Sequence, residues 1–252
     1  MSMKILVLTT ETSHHVYFAK KLAETFGNVI VYCEKFSSNK FLFDTHHAFE
    51  DRRDIFEITK WFEGKSLRMA DILITKEFNS LNDPDAIKSL SNEKPDIVLV
   101  FGTGLLRREI LNLFRHKIFN LHGGDPERYR GLDNHLWGIY HGDFSSLVTT
   151  IHHMNDRLDD GDIVAQAGIT IDLGTTLESL RSINTELCVK MSTTLIDSIC
   201  RFGKASGRKQ LASGRYYSAM PTVLKEVCIK RFSQYTKGYS SELHGKNPKS
   251  TI

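Results

Sequence analysis

The sequence predicts an α/β protein with a mostly parallel central sheet flanked by helices, and three observations lead there. Residues 4–9, 29–33 and 95–101 are short apolar runs without polar alternation, the pattern of strands covered on both faces. Residues 16–26, between the first two runs, place apolar side chains at helical spacing, so the chain opens as β-α-β. Residues 176–202 carry Leu177, Leu180, Ile183, Leu187, Met191, Leu195 and Ile199 at three- and four-residue steps, the core-facing stripe of a long closing helix.

The remaining elements follow in order. Gly27 and Asn28 end the first helix. This Rossmann-type opening lacks G-x-G-x-x-G, so a dinucleotide is not supported. The turn before the helix is rich in hydroxyls. Ser13 serves there either as a plain cap or as a contact for a substrate phosphate at the helix N-terminus. Residues 35–93 support helices and loops, with a short strand at 71–75, a turn cluster at 79–84 and a helix to Leu90. The strand at 95–101 leads through Gly102, Thr103, Gly104, Leu105 and Leu106 into a helix over 108–115, and the glycines let a flat ligand approach the backbone. A strand at 118–122, a helix from 133 or 134 to Gly142 with Trp137 in the core, and strands at 147–154 and 164–171 complete the sheet. Beyond 202 the composition changes. Residues 204–209 are basic, 216–221 read as an extended arm, 224–232 as a short helix, and 233–252 are polar and expected to fray. The predicted division is a main domain over 1–202 and an extension over 203–252.

A chain of 252 residues suits one large domain with an appendage. Its 33 basic and 30 acidic residues, net +3, are too balanced to argue for nucleic acid. No apolar run approaches the length needed to cross a bilayer, so no membrane partner is expected. Cys33, Cys188, Cys200 and Cys228 are scattered without C-x-x-C and read as reduced packing thiols, which points to the cytoplasm. The histidine pairs 14–15, 46–47 and 152–153 are adjacent in sequence, and neighbours on a strand point to opposite faces. With no H-E-x-x-H and no Cys/His ligand spacing, no metal is expected.

The chemistry concentrates in two stretches. At 118–131 a short apolar strand delivers Asn120 and His122 to one face, and Gly123, Gly124 and Pro126 then force the chain out of the sheet. Polar groups at a strand's exit stand where ligands of open α/β sheets collect. Downstream, Asp159 lies on a turn with Gly161 between two strand-like runs. An amide, an imidazole and a carboxylate suffice to move an acyl group: one donates to an oxyanion, one exchanges a proton, one orients and charges the imidazole. Taken alone, the first stretch is more often a satisfied strand end than a catalyst, and the second is usually only a structural turn.

The order and spacing of Asn120-x-His122, Tyr129-Arg130-Gly131, Thr150-Ile151-His152 and Leu158-Asp159-x-Gly161 resemble the folate-dependent formyltransferase family, clearly over residues 96–171 and weakly toward both ends. The resemblance implies a catalytic triad of Asn120, His122 and Asp159, with N10-formyltetrahydrofolate as co-substrate. It also implies folate contacts at Gly104, Leu105, Leu106 and Asp162. Asp159 is expected to favour the charged imidazole of His122. One departure concerns the acceptor side: many members read H-x-S-L-L-P where this chain reads His122-Gly123-Gly124-Asp125-Pro126-Glu127.

The tail, with Gly214-Arg215-Tyr216-Tyr217 and Met220-Pro221-x-x-Leu224-Lys225, is similar to that of the nucleotide-sugar N-formyltransferases. Those enzymes formylate the amine of a dideoxy-aminosugar on a nucleoside diphosphate, as in pseudaminic-type or other surface-glycan pathways. On that reading the partner is a nucleotide-sugar, and relatives of this kind suggest a homodimer. Gly124, Asp125, Glu127, Arg128, Tyr129 and Arg130 would face the sugar, with His152 in a substrate or structural role. The alternatives are transfer to another amine (aminoacyl, peptidyl, ribonucleotide or tRNA-linked) and a non-catalytic folate- or nucleotide-binding module, against which the intact triad argues.

Overall fold

The computed structural model describes residues 3–35 and 41–244, with the side chains of 239–244 excepted. Seven strands form one sheet: β1 (Ile5–Thr10), β2 (Val29–Glu34), β3 (Ile74–Phe78), β4 (Ile97–Phe101), β5 (Ile118–His122), β7 (Val148–His153) and β8 (Ile163–Gly168). They run in the order β3-β2-β1-β4-β5-β7-β8. The pairings from β3 to β5 are parallel; β7 and β8 close one edge antiparallel. A second, two-stranded sheet pairs β6 (Tyr129–Gly131) with β9 (Arg215–Tyr217), also parallel.

Alternation along the strands splits the core. Ile5, Val7, Ile97 and Leu99 pack with Val16, Phe18 and Leu22 of α1 (Ser13–Phe26) and with Met191 and Leu195 of α7 (Leu177–Phe202). Leu6, Leu8, Val98 and Val100 face the other way, onto Leu90 of α4 (Pro84–Ser91) and Ile110 of α5 (Arg108–Leu113). Covered on both sides, β1 and β4 need no polar face, which is why they are continuous apolar runs. A third cluster joins Phe49 of α2 (Ala48–Phe62), Leu136 and Ile139 of α6 (Asn134–His141), and Met220, Cys228 and Phe232 at α8 (Thr222–His244).

Three local expectations are corrected. The strand expected at 71–75 lies at Ile74–Phe78, because a helical turn, α3 (Met69–Ile72), buries Met69 and takes up the preceding residues. Ser13 does not cap α1; Thr12 holds that position, and its hydroxyl bonds the Nδ1 atoms of His14 and His15, 2.9 Å from each. The helix expected over 224–232 runs to His244: Cys228, Phe232 and Thr236 are buried at four-residue steps, and Tyr235 stacks on Phe144 with ring centroids 3.7 Å apart. The fraying expected of the tail falls, for 245–252, outside the described residues. Among the described residues no helix is long and apolar enough to cross a membrane.

Candidate active site

β5 carries Asn120 and His122 on one face, and its antiparallel neighbour β7 sets His152 directly opposite Asn120. After β7 the chain turns back over the sheet and brings Asp159 down onto all three, in a left-handed conformation with φ 49°. Asn120 Nδ2 donates to Asp159 Oδ1 at 3.3 Å and lies 3.2 Å from His152 Nε2. His122 Nδ1 stands 3.5 Å from Asp159 Oδ1, and His152 Nε2 stands 3.6 Å from the same oxygen. Residues separated by up to 39 positions therefore meet in one cluster.

Backbone fixes the orientation of the cluster. His122 Nε2 lies 3.1 Å from the Tyr129 carbonyl and 3.3 Å from Asn134 Nδ2; the tautomer that donates to the nearer carbonyl carries its proton on Nε2 and presents the Nδ1 lone pair to Asp159. Gly131 N–H donates to Asp159 Oδ2 at 2.9 Å. A Cβ at Gly131, where φ is +97°, would fall 2.2 Å from the Tyr217 carbonyl oxygen, so only glycine lets β6 approach β9 here and still reach the carboxylate.

Burial decides the charges. Asp159 pulls the His122 pKa upward, as expected, but burial outweighs it and pushes the pKa below the usual value for histidine. Burial alone would raise the Asp159 pKa, but His122, His152 and the Gly131 N–H hold it down to about 2. The site therefore sets an ionised carboxylate beside a neutral imidazole, which can take a proton and pass it on.

A cavity of about 460 Å³ is lined by Leu111, Ile118, Met154, Asn155, Gly161 and Asp162 among others; it shares the D-x-G turn with the cluster, although none of Asn120, His122, His152 and Asp159 lines it. Asp162, expected as a folate contact, lines it, whereas Gly104, Leu105 and Leu106 do not. Gly104 N–H donates to Glu34 at 2.8 Å, Leu105 is exposed with its carbonyl accepting from Asn82, and Leu106 is core. Sequence reasoning missed Arg108, Arg115, His116 and Asp156 around the cavity; only proximity to the Gly-Leu-Leu loop and the D-x-G turn could have flagged them.

The loop expected to face the sugar is engaged with the protein itself. Glu127 receives two bonds from Arg208, at 2.9 and 2.7 Å, which hold its pKa down to about 2. Arg128 pairs with Asp143 at 2.7 Å. Arg130 is buried on the Pro126 carbonyl, Asp160 and Gln210. Asp125 accepts from Glu127 N–H and the Gly124 carbonyl accepts from Thr150. Tyr129 is buried, its hydroxyl on Asp143. His152 is buried with Nδ1 2.8 Å from the His153 carbonyl, and Ser13 is the first residue of α1, outside the cluster.

A residue that sequence reasoning did not single out ties these parts together. Gln210 Nε2 donates to the carbonyls of Asp159 at 2.8 Å and Gly161 at 2.9 Å, while its Oε1 accepts from Arg130 at 2.7 Å. It lies past α7, in the segment predicted to be an appendage.

Comparisons with known proteins bear on the family and the fold. Residues 3–191 match the family described as Formyl transferase. A methionyl-tRNA formyltransferase of Ralstonia pickettii is 28% identical over 165 residues, covering 65% of this chain and 50% of the relative. The chain spans about half the length of the curated relatives it matches. Among solved structures, the sugar 3N-formyl transferase WlaRD, determined in the presence of dTDP and 5-N-formyl-THF, superposes with a TM-score of 0.59 at 16% identity, over 86% of this chain and 70% of that one. A 4-N formyltransferase from Francisella tularensis gives a TM-score of 0.59 at 17% identity, over 91% of this chain and 87% of that one. At such identities the likeness speaks for the fold. The match over residues 3–191, three quarters of the length, places the chain in the formyl transferase family.

Proposed function

We propose that this chain moves a formyl group from N10-formyltetrahydrofolate to the primary amine of a nucleotide-linked aminosugar. One observation carries the reading: Asn120, His122 and Asp159 converge, and the turn that carries Asp159 runs on through Gly161 and Asp162 into the wall of a cavity. The cavity suits a flat heterocycle, with Leu111, Ile118 and Met154 as apolar walls and Asn155 and Asp156 at the edge. Bound there, the folate supplies the formyl carbonyl, and this chain's residues do the rest. Asn120 offers amide N–H to the oxygen that gains charge as the amine attacks. His122 Nδ1 takes the proton shed by the amine, and Asp159, 3.5 Å away, stabilises the imidazolium until the proton passes to the departing nitrogen.

The acceptor is read from the surface beside the triad. Tyr216, 63% exposed, lays its ring edge against Gly131, the residue that donates to Asp159. A flat exposed aromatic there offers a stacking face for a nucleobase while the sugar amine reaches Asn120. The resemblance of the curated relatives, named for methionyl-tRNA, favours a second reading: transfer to an aminoacyl amine.

A thermal-shift panel with a folate analogue separates the two, since a ligand bound by the native state raises Tm. A nucleotide aminosugar that raises Tm beyond the folate analogue alone supports the first reading. A shift with aminoacyl-tRNA and none with any nucleotide-sugar rejects it.

A further inference from the structure

We propose that His122, His152 and Asp159 form a binding site for a divalent metal ion of the zinc type, and that its occupancy switches formyl transfer off. The switch rests on the reading of function above; the binding does not. Spacing in the sequence hides such a set, because its members come from β5, β7 and the turn after β7.

Three features argue for it. The first is convergence. His122 Nδ1 and His152 Nε2 lie 3.5 and 3.6 Å from Asp159 Oδ1, and the three ligand atoms lie within 4.8 Å of one another. Zinc bonds of about 2.0–2.1 Å at tetrahedral angles put ligand atoms about 3.3–3.5 Å apart, so two edges are in place and a small rotation of the rings closes the third.

The second is the state of the ligands. Each imidazole gives its outer N–H to a backbone carbonyl, His122 Nε2 to Tyr129 at 3.1 Å and His152 Nδ1 to His153 at 2.8 Å. That contact fixes the tautomer and the ring plane of a ligating histidine, and it leaves both inner nitrogens bare.

The third is the composition of the set, two imidazoles and one carboxylate. Two nitrogens and one oxygen suit zinc and its neighbours over magnesium or calcium. The fourth position falls to water or to substrate.

The consequence is competition. An ion on His122 Nδ1 occupies the lone pair that takes the amine's proton, so the bound form cannot act as base. Protons compete for the same nitrogens, so affinity falls as pH falls.

The test uses the chelator-treated 252-residue chain without folate, titrated with Co2+ as a spectroscopic probe and then with Zn2+. The expected result is one Co2+ per chain with the visible bands of low coordination number, displaced by Zn2+. Affinity drops on the order of tenfold or more in His152→Gln and in Asp159→Asn, with circular dichroism confirming the fold of each. Absence of stoichiometric binding, or undiminished affinity in both folded variants, overturns the site. Where wild type transfers formyl groups, Zn2+ inhibits at the concentration at which it binds; binding without inhibition overturns the switch. A chain that binds the ion and transfers to no amine refutes the reading of function and leaves the site standing.

Discussion

Replacing Asp159 by asparagine removes one charge and almost no volume, which isolates the electrostatic part of the site. The carboxylate lies 3.5 Å from His122 Nδ1, and at an effective dielectric constant of about 20 a full charge pair at that distance is worth about 5 kcal/mol. That energy is absent while the imidazole is neutral and present once it holds the amine's proton, so it belongs to the transition state. If half or more of it is realised, turnover falls about a hundredfold to a thousandfold. The pH dependence carries a sign as well. Asp159 pulls the His122 pKa upward against burial, so its loss moves the acid limb of the rate profile to lower pH. Stability also drops, by about 1–3 kcal/mol, because the amide side chain of Asp159→Asn has one acceptor oxygen for the two donors that the carboxylate serves, Gly131 N–H and Asn120 Nδ2. Steady-state turnover across pH, with urea melts of both proteins, measures all three. A folded Asp159→Asn that keeps a third of wild-type turnover with an unmoved acid limb refutes the reasoning.

Gln210→Ala removes the three bonds that link the D-x-G turn to Arg130, and it is expected to lower kcat on the order of tenfold to a hundredfold with little change in KM; a purely structural role would lower Tm and leave kcat per folded molecule unchanged. In Gly161→Ala the new Cβ falls 1.6 Å from the His153 carbonyl oxygen, so the turn carrying Asp159 has to move. Overpacking there costs about 1–3 kcal/mol, and turnover is expected to fall further than stability; wild-type turnover in this variant contradicts the placement of the turn. Acid weakens the fold through buried histidines. Burial lowers the His15 pKa to about 3, with His14 and His122 lowered as well. Unfolded histidine binds protons from about 6.5 downward, so this stability is whole above that pH and is lost as pH falls toward about 3; His15 alone accounts for about 3 kcal/mol by pH 4.5. A urea midpoint that stays level between pH 6.5 and 4.5 contradicts this.

Much of this molecule is legible in its sequence. β1, β4 and α7 announce themselves because burial on both faces, or along one helical stripe, leaves a periodic apolar record. Asn120 and His122 were legible as a pair because a strand has period two, and Asp159 because Gly161 marks its turn. The protonation of His122 was not legible: the balance between burial and a carboxylate 3.5 Å away is set by three-dimensional packing. The loop from Gly124 to Arg130 read as a row of free polar groups, yet Arg208, Asp143 and Gln210, brought in from far along the chain, take up its charges. Gln210 and the extent of α8 escaped for the same reason, since the partners that make them matter, Asp159 and Phe144, lie remote in sequence.

The most direct test of the central claim is a mass measurement. Wild type and His122→Asn are incubated with N10-formyltetrahydrofolate and a set of nucleotide-linked 3- and 4-aminosugars, and each sugar is followed for the gain of one formyl group. The account predicts stoichiometric formylation of at least one sugar amine by wild type and a loss of about a hundredfold or more in rate for folded His122→Asn. Equal rates from the two proteins contradict the role of His122, and formylation of none of the sugars contradicts the acceptor.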